Sequence, residues 1–461
     1  MEKLSSIPKR ARFIMLSQES RREALQFLHE HRGEQACLGN YSSPRVSSEL
    51  ADCSMPLTFD QFNFCSLGCL YCFAFCFKSN NPATKGKQLA LNAVDPERLL
   101  SVMRGEKPNN PFWKHFYRHR FLLHWGGLAD PFCNFERDNG VGLRLMKGLS
   151  YMRYPTLFSF KGSTVLDKEY RHVLQRAAKH CNFAFQASII TVDEQLARDV
   201  EVGVPSAQKR LQALRVLSDM GYWTILRLRP FIIGVSDERL DELLDAALRA
   251  GIRGVSCEFF ALDSRGGPEL LRRYEWLGEM VGAKDLRAYY AALSPRERGG
   301  YLRLNRDVKE PYVKTIYRFC QEHSLVCAIS DPDYKELNTS GSCCGMPDTF
   351  PACEDLCNWS RHQLTYHVSR ARRKYWLGDT EQRIRFGEVY PDTEGFLTEP
   401  AFANQHVQKI GKCTAERTVT CLRDILHASW NNLRSAANPR NYLHGKVMPI
   451  GVDRCGDLEF E

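Results

Sequence analysis

Three cysteines in the segment NFCSLGCLYCFAFCF have the types and spacing to do chemistry. They are Cys65, Cys69 and Cys72, in the order Cys-x-x-x-Cys-x-x-Cys. Three thiolates on one short loop bind three irons of a cubane 4Fe-4S cluster and leave the fourth iron without a protein ligand. An open iron of that kind accepts a chelating ligand from solution. The competing readings are a zinc site or an ordinary four-cysteine cluster with Cys76 as the fourth ligand. A structural zinc site uses four protein ligands. Cys76 stands in the apolar run FAFCF, which reads as packing.

The chain has 18 cysteines in 461 residues. Its N-terminus, MEKLSSIPKRARF, is basic but has no apolar stretch after it, so export is not expected and a cytoplasmic location is. Clustered cysteines in a reducing compartment are metal or cluster ligands more often than disulfides. A second group, Cys320, Cys327, Cys343, Cys344, Cys353 and Cys357, surrounds the segment SCCGMPDTFPACEDLCNW. Its glycine and prolines suit a backbone wrapped around a cluster. A second 4Fe-4S cluster, or a zinc ion, would use Cys344 or Cys343 with Cys353 and Cys357, and Cys327 or Cys320 as the fourth ligand. The alternative is a scatter of buried thiols. Cys181 and Cys257 lie in apolar strand-like runs and read as small hydrophobes.

Elements that could position these residues follow in order. LTFDQFNF, FLLHW, TLFSFK, NFAFQASII, TILRLRPFII and GVSCEFFAL are six strand candidates between residues 57 and 262. SLVCAIS (324–330) is one more. Helical patterns separate them. DPERLLSVM has Asp95 and Pro96 in helix-start order. AQKRLQALRVLSDMG ends at Gly221, and SDERLDELLDAALRAG has Ser236 as a candidate N-cap and Gly251 as a stop. Strands alternating with helices imply parallel βαβ units, and the apolar runs read as strands buried on both faces. Chemistry then belongs at the C-terminal ends of the strands. Cys65, Gly126, Lys161 and Ser188 all sit at such ends.

Hydrophobic residues make up 43% of the chain and charged residues 25%, the balance of a globular protein with a sizeable core. No apolar run approaches the roughly 18 residues of a membrane span. The expected organisation is a helical and linker extension (1–54), a core (55–263), a helical region with a closing strand (264–340) and a Cys-rich basic region (341–461). Residues 1–50 read as peripheral, with a helix from about Ser17 to His31.

The motif Cys65, Cys69, Cys72, with an aromatic residue before the third cysteine, resembles that of the radical S-adenosylmethionine (SAM) superfamily. The segments GGLADPFCNFE (126–136), FSFKGS (158–163) and residues 187–234 resemble the spore photoproduct lyase-like branch. The resemblance covers about residues 55–262, under half of the chain. It implies an α/β fold, a partial TIM-like (β/α)6 barrel, here with a Cys-rich C-terminal extension. It implies that SAM chelates the open iron and is cleaved reductively to a 5′-deoxyadenosyl radical. Matched residue by residue, Tyr71 would lie beside the adenine. Gly126 and Gly127 would face the amino group of SAM, and Lys161 its carboxylate. Ser188 would bind the ribose, and Asp130 would order the loop or the ligand. Arg229, on one strand face with Arg227, would bind an anion or pair with an acid such as Glu258. An electron donor such as flavodoxin or ferredoxin is expected. One departure separates the chain from the lyases. Their hydrogen-donor cysteine at the end of the second strand is replaced here by Gly126–Gly127–Leu128, with Cys133 a few residues on.

Two classes of substrate follow. The net charge of +9 and the basic-aromatic stretches FWKHFYRHR (112–120) and SRARRKYW (369–376) suit a nucleic acid or nucleotide. The second cysteine group suits modification of a peptide or protein side chain. A third reading, a cluster-bearing sensor without catalysis, predicts that no 5′-deoxyadenosine forms.

Overall fold

In the computed structural model, residues 9–46, 55, 57–74, 90–106, 111–263, 271, 273–293, 301–350, 356, 383–390, 395–401, 420–435, 438–442 and 447–461 are described. The centre is one eight-stranded sheet. Its strands are β1 (Arg45–Val46), β2 (Leu57–Phe59), β3 (Leu123–Trp125), β4 (Thr156–Phe160), β5 (Phe183–Ser188), β6 (Trp223–Phe231), β7 (Gly254–Phe259) and β8 (Val326–Ile329). They lie side by side in chain order. β2 to β8 are all parallel, and only β1 runs antiparallel, against β2.

Strict chain order has a geometric consequence. Each parallel crossover is right-handed, so steps taken always in one direction put every crossover helix on the same face. The helices are α1 (Lys9–Glu30), α2 (Pro96–Met103), α3 (Pro111–Arg118), α4 (Val141–Tyr151), α5 (Lys168–Ala177), α6 (Ala207–Asp219), α7 (Leu240–Arg249) and α8 (Arg306–Glu322). Leu149 of α4, Leu174 of α5, Leu214 of α6, Leu244 of α7 and Ile316 of α8 join one apolar core with Phe158, Phe185, Leu226, Val255 and Ile329 of the strands. Phe158 stacks on Phe185 with ring centroids 5.0 Å apart.

The helix boundaries follow local chemistry. Asp95 caps α2 by accepting from the Arg98 amide at 3.0 Å, with Pro96 in the first turn. Ser206 caps α6 through the Lys209 amide at 3.2 Å. Ser236 does not cap α7. That helix starts at Leu240, and the Ser236 hydroxyl instead accepts from the Ile232 amide at 3.0 Å. Gly221 and Gly251 each take a positive φ just past a helix end, as expected.

The other face of the sheet differs from the expectation of strands apolar on both sides. Side chains alternate along a strand. The residues between the apolar ones are Thr58, His124, Ser159, Gln186, Ser188, Arg227, Arg229, Ser256 and Glu258. Only the lower end of this face is apolar. There Leu122, Leu157, Ala184, Trp223 and Ile225 pack with Cys344, Met346 and Phe350 from the segment after β8.

Two further regions frame the sheet. α1 extends further than the sequence pattern indicates, and it is not peripheral. Ala24 and Leu28 of α1 lie against Gly68 inside the cysteine loop. Near the C-terminus, α9 (Leu422–Asn431) packs Trp430 against Phe386 and Phe460, beside a hairpin of Pro449–Val452 and Leu458–Phe460. Among the described residues no helix is long and apolar enough to cross a membrane.

Candidate active site

The loop carrying Cys65, Cys69 and Cys72 leaves the C-terminal end of β2. Backbone contacts fix its path. The Leu70 amide donates to Val200 O at 2.9 Å, the Gly203 amide to Leu67 O at 3.0 Å, and the Cys72 amide to Cys69 O at 3.2 Å. Arg273 donates to Leu70 O at 3.1 Å. Tyr71 is buried, and its hydroxyl donates to Glu201. Glu201 in turn pairs with Arg210 at 2.7 Å, both fully enclosed, and Arg210 donates to Ser188 O at 2.6 Å. The chain Tyr71–Glu201–Arg210–Ser188 therefore ties the cysteine loop to the end of β5. Removing one member of such a buried pair leaves an unpaired charge.

The next strand ends close around it. Asp60, just past β2, accepts from the Leu128 and Ala129 amides, each at 2.8 Å, and pairs with Arg45 at 2.7 Å. Asp130 accepts from the Phe132 amide at 2.8 Å, the Gly162 amide at 3.1 Å and the Lys161 amide. These bonds join the segment after β3 to the end of β4. Gly126 has φ +106°, and a Cβ there would lie 2.2 Å from Ser159 O; at Gly127 it would lie 2.2 Å from Thr58 Cγ2. Only glycine fits this turn.

Lys161, at the end of β4, sets its ammonium 5.4 Å from the centre of the Tyr71 ring. Its charge also acts on Cys69. Burial pushes the Cys69 thiol up to about 12, and Lys161 opposes that shift. The Cys65 thiol is pushed up by its hydrogen bond to Cys133 and by burial. Cys133 is thus beside Cys65, at the start of the short helix Asn134–Asn139.

Across the polar face, Ser188 accepts from Arg227 at 3.2 Å. Burial and then Arg229 lower the Arg227 guanidinium to about 10. The His124 ring lies 2.5 Å from the Ser159 hydroxyl and 3.4 Å from Gln186 Nε2. Burial, with Arg227, Arg229 and Arg45, lowers His124 to about 3, so its imidazole is neutral at pH 7. Gln186 Oε1 and Arg227 Nε are buried without a hydrogen-bond partner. Buried polar atoms left open in this way are rare in folded proteins.

The structure brings Cys65, Cys69, Cys72, Tyr71, Gly126, Gly127, Asp130, Lys161 and Ser188 to one end of the sheet. Arg229 faces the second cysteine segment instead, donating to Cys343 O and pairing with Glu258 at 3.6 Å. The described cysteines of that second group divide between the two faces of the sheet. Cys327 and Cys320 lie in the core on the helix-covered face, whereas Cys344 packs under the opposite face. A sheet therefore stands between Cys327 and Cys344. Cys353, Cys357 and Cys76 lie outside the described residues, as does the stretch 369–376. In FWKHFYRHR, His115, Phe116 and Tyr117 are buried, while Lys114 and Arg118 are exposed, so the stretch turns its aromatic side inward and two basic side chains outward. The sequence reading missed Asp60, Glu201, Arg210, His124 and Gln186. Alternating polar residues within the strands were the one available signal, and only for the last two.

No protein-family model matches the chain. It is 26% identical over 235 residues to uncharacterized proteins of Mycobacterium bovis and Mycobacterium tuberculosis, a match covering 48% of this chain and 66% of each relative. The chain thus spans just under two thirds of the length of the curated relatives it matches. Among solved structures it is similar to spore photoproduct lyase complexed with dinucleoside spore photoproduct (12% identity, 66% of this chain and 84% of that one, TM-score 0.47). It is also similar to Streptococcus suis SuiB bound to S-adenosylmethionine (13% identity, 69% and 57%, TM-score 0.37).

Proposed function

We propose that this chain is a radical SAM enzyme, with Cys65, Cys69 and Cys72 as the ligands of a 4Fe-4S cluster. The observation that supports this reading is the placement of the three cysteines. They stand on a loop braced by Glu201, Arg210 and Arg273, at the C-terminal end of the first parallel strand and beside a polar sheet face. The residues fit the cluster and SAM. The loop offers three thiols, with Cys133 beside Cys65 as a fourth from a neighbouring element, Gly126 and Gly127 make a close-packed turn without side chains, and Lys161 is a cation beside the loop. When bound, the cluster and SAM supply an electron and a carbon–sulfur bond whose cleavage gives a 5′-deoxyadenosyl radical.

The chain's own residues do the rest. Lys161 attracts the SAM carboxylate toward the cysteine loop. The turn at Gly126–Gly127 offers backbone groups to the SAM amino group. Tyr71, held by Glu201, keeps the loop at a fixed height above the sheet. Single-direction winding of seven parallel strands supports a partial barrel whose inner face is the polar one. Neutral His124, Arg227 and Gln186 line that face and favour an anionic substrate, a nucleotide or nucleic acid. A small redox protein of the flavodoxin or ferredoxin kind would supply the electron. An auxiliary cluster, if the chain carries one, would draw on Cys343 or Cys344 with Cys353 and Cys357, without Cys327.

Anaerobic reconstitution with iron and sulfide, followed by reduction with SAM, tests the reading. Formation of 5′-deoxyadenosine is expected, with full loss in Cys69→Ala and retention of the cluster in Cys76→Ala. No 5′-deoxyadenosine from the iron-loaded protein would sink it. Loss of the cluster in Cys76→Ala would replace the open iron with a closed four-cysteine site.

A further inference from the structure

A group of metal-binding side chains lies away from the cysteine loop. His115 is on α3 and His119 is one residue beyond its end, four positions apart and so on one face of the helix. Their ring centroids are 4.7 Å apart. Glu399, just past the short helix Gly395–Thr398, reaches both. Its Oε2 is 2.8 Å from His119 Nε2 and 3.4 Å from His115 Nδ1. One ligand atom from each of the three lies within 4.8 Å of the others.

The spacing has a chemical meaning. A divalent zinc ion bonds histidine nitrogen and carboxylate oxygen at about 2.0–2.1 Å, which sets neighbouring corners of its tetrahedron about 3.3 Å apart. The observed separations bracket that edge. A second observation points the same way. His115 is only 2% exposed; its Nδ1 has only the 3.4 Å contact to Glu399, and its Nε2 has no hydrogen-bond partner. A buried imidazole with one long contact is costly. A metal ion on Nδ1 would relieve that cost.

The geometry points to a divalent transition-metal site, best suited to zinc, formed by His115, His119 and Glu399 with its fourth position open to water. Two imidazoles and one carboxylate suit zinc and its late first-row neighbours rather than calcium or magnesium. Arg118 also donates to Glu399 Oε2 and competes for it. Its side chain is 54% exposed and is free to swing into solvent when a metal binds. Glu399 is 280 residues from His119 in sequence. A metal here staples the segment 395–401 to the crossover before β3. The competing arrangement is a metal-free cluster in which Arg118 and the two histidines simply hold the carboxylate.

The test uses full-length protein equilibrated with zinc, gel-filtered and assayed for bound metal. Wild type is expected to hold one more equivalent of zinc than His119→Ala or Glu399→Gln. The triple variant Cys65→Ala/Cys69→Ala/Cys72→Ala should keep that equivalent. A chelator should lower the wild-type melting temperature and leave that of Glu399→Gln unchanged. Equal zinc in wild type and Glu399→Gln overturns the site, as does loss of the equivalent on substitution of the three cysteines. Glu399→Gln preserves side-chain size at a half-buried position, so it carries the test if His119→Ala fails to fold.

Discussion

The two cysteine groups invite comparison. The first, Cys65 to Cys72, is brought together by contacts from far away in the chain: α1, the Glu201–Arg210 pair and Arg273. The second, from Cys320 onward, is dense in sequence but divided in space. Cys320 and Cys327 sit with Ile316 and Val255 in the helix-side core, and Cys344 sits below the polar face with Trp223. Density along the chain is therefore a poor guide to a shared ligand set. What distinguishes the first loop is an outer frame of charged groups, Glu201, Arg210 and Arg273, that holds it in place.

Substitutions can break this contrast, and the largest effect belongs to the ligands themselves. Alanine at Cys65, Cys69 or Cys72 should remove essentially all 5′-deoxyadenosine formation and most of the bound iron, read by product assay and iron analysis. Next comes the frame. Glu201→Ala strands Arg210 in the interior and should cost about 3–5 kcal/mol in a denaturant titration. It should also make the cluster labile in air. A smaller effect is expected for the divided group. Cys327→Ala should cost about 1–2 kcal/mol, as for a small buried apolar side chain, with iron content unchanged. A loss of iron there would end the distinction drawn between the two groups.

A separate effect is a pH dependence. The folded pKa of His124, about 3, lies below its unfolded value near 6.5. The unfolded chain therefore binds a proton that the folded chain refuses between those limits. The stability associated with neutral His124 is complete above about pH 6.5 and is lost progressively as pH falls toward 3. Replacing His124 with glutamine should flatten that limb of the stability curve, measured as denaturant midpoints from pH 7 to 4.

Much of the architecture was legible from the chain. The strands announced themselves through runs such as TLFSF and FAFQAS, and their spacing implied parallel units. The inner face was harder to see. Ser159, Gln186, Arg227 and Arg229 interrupt those runs singly, and aromatic and aliphatic neighbours mask the alternation. The three cysteines and the glycine turn were visible because their chemistry depends on local spacing. Glu201 and Asp60 were not, because an isolated acid gives no sign of which distant loop it will brace. Cys327 misled for the converse reason: it is near Cys344 in sequence, and a strand end sends the two to opposite faces.

The braces of the cysteine loop also impose an order in time. The loop leaves the ribosome early, yet Glu201, Arg210 and Arg273 follow it by 129 residues or more. Domains form as their segments emerge during synthesis. A nascent chain that ends before residue 273 presents three thiols on an unbraced loop. Iron and sulfide delivered at that stage would meet a site without its frame. On the proposed reading, a cluster held by the complete frame forms only once residue 273 has been made.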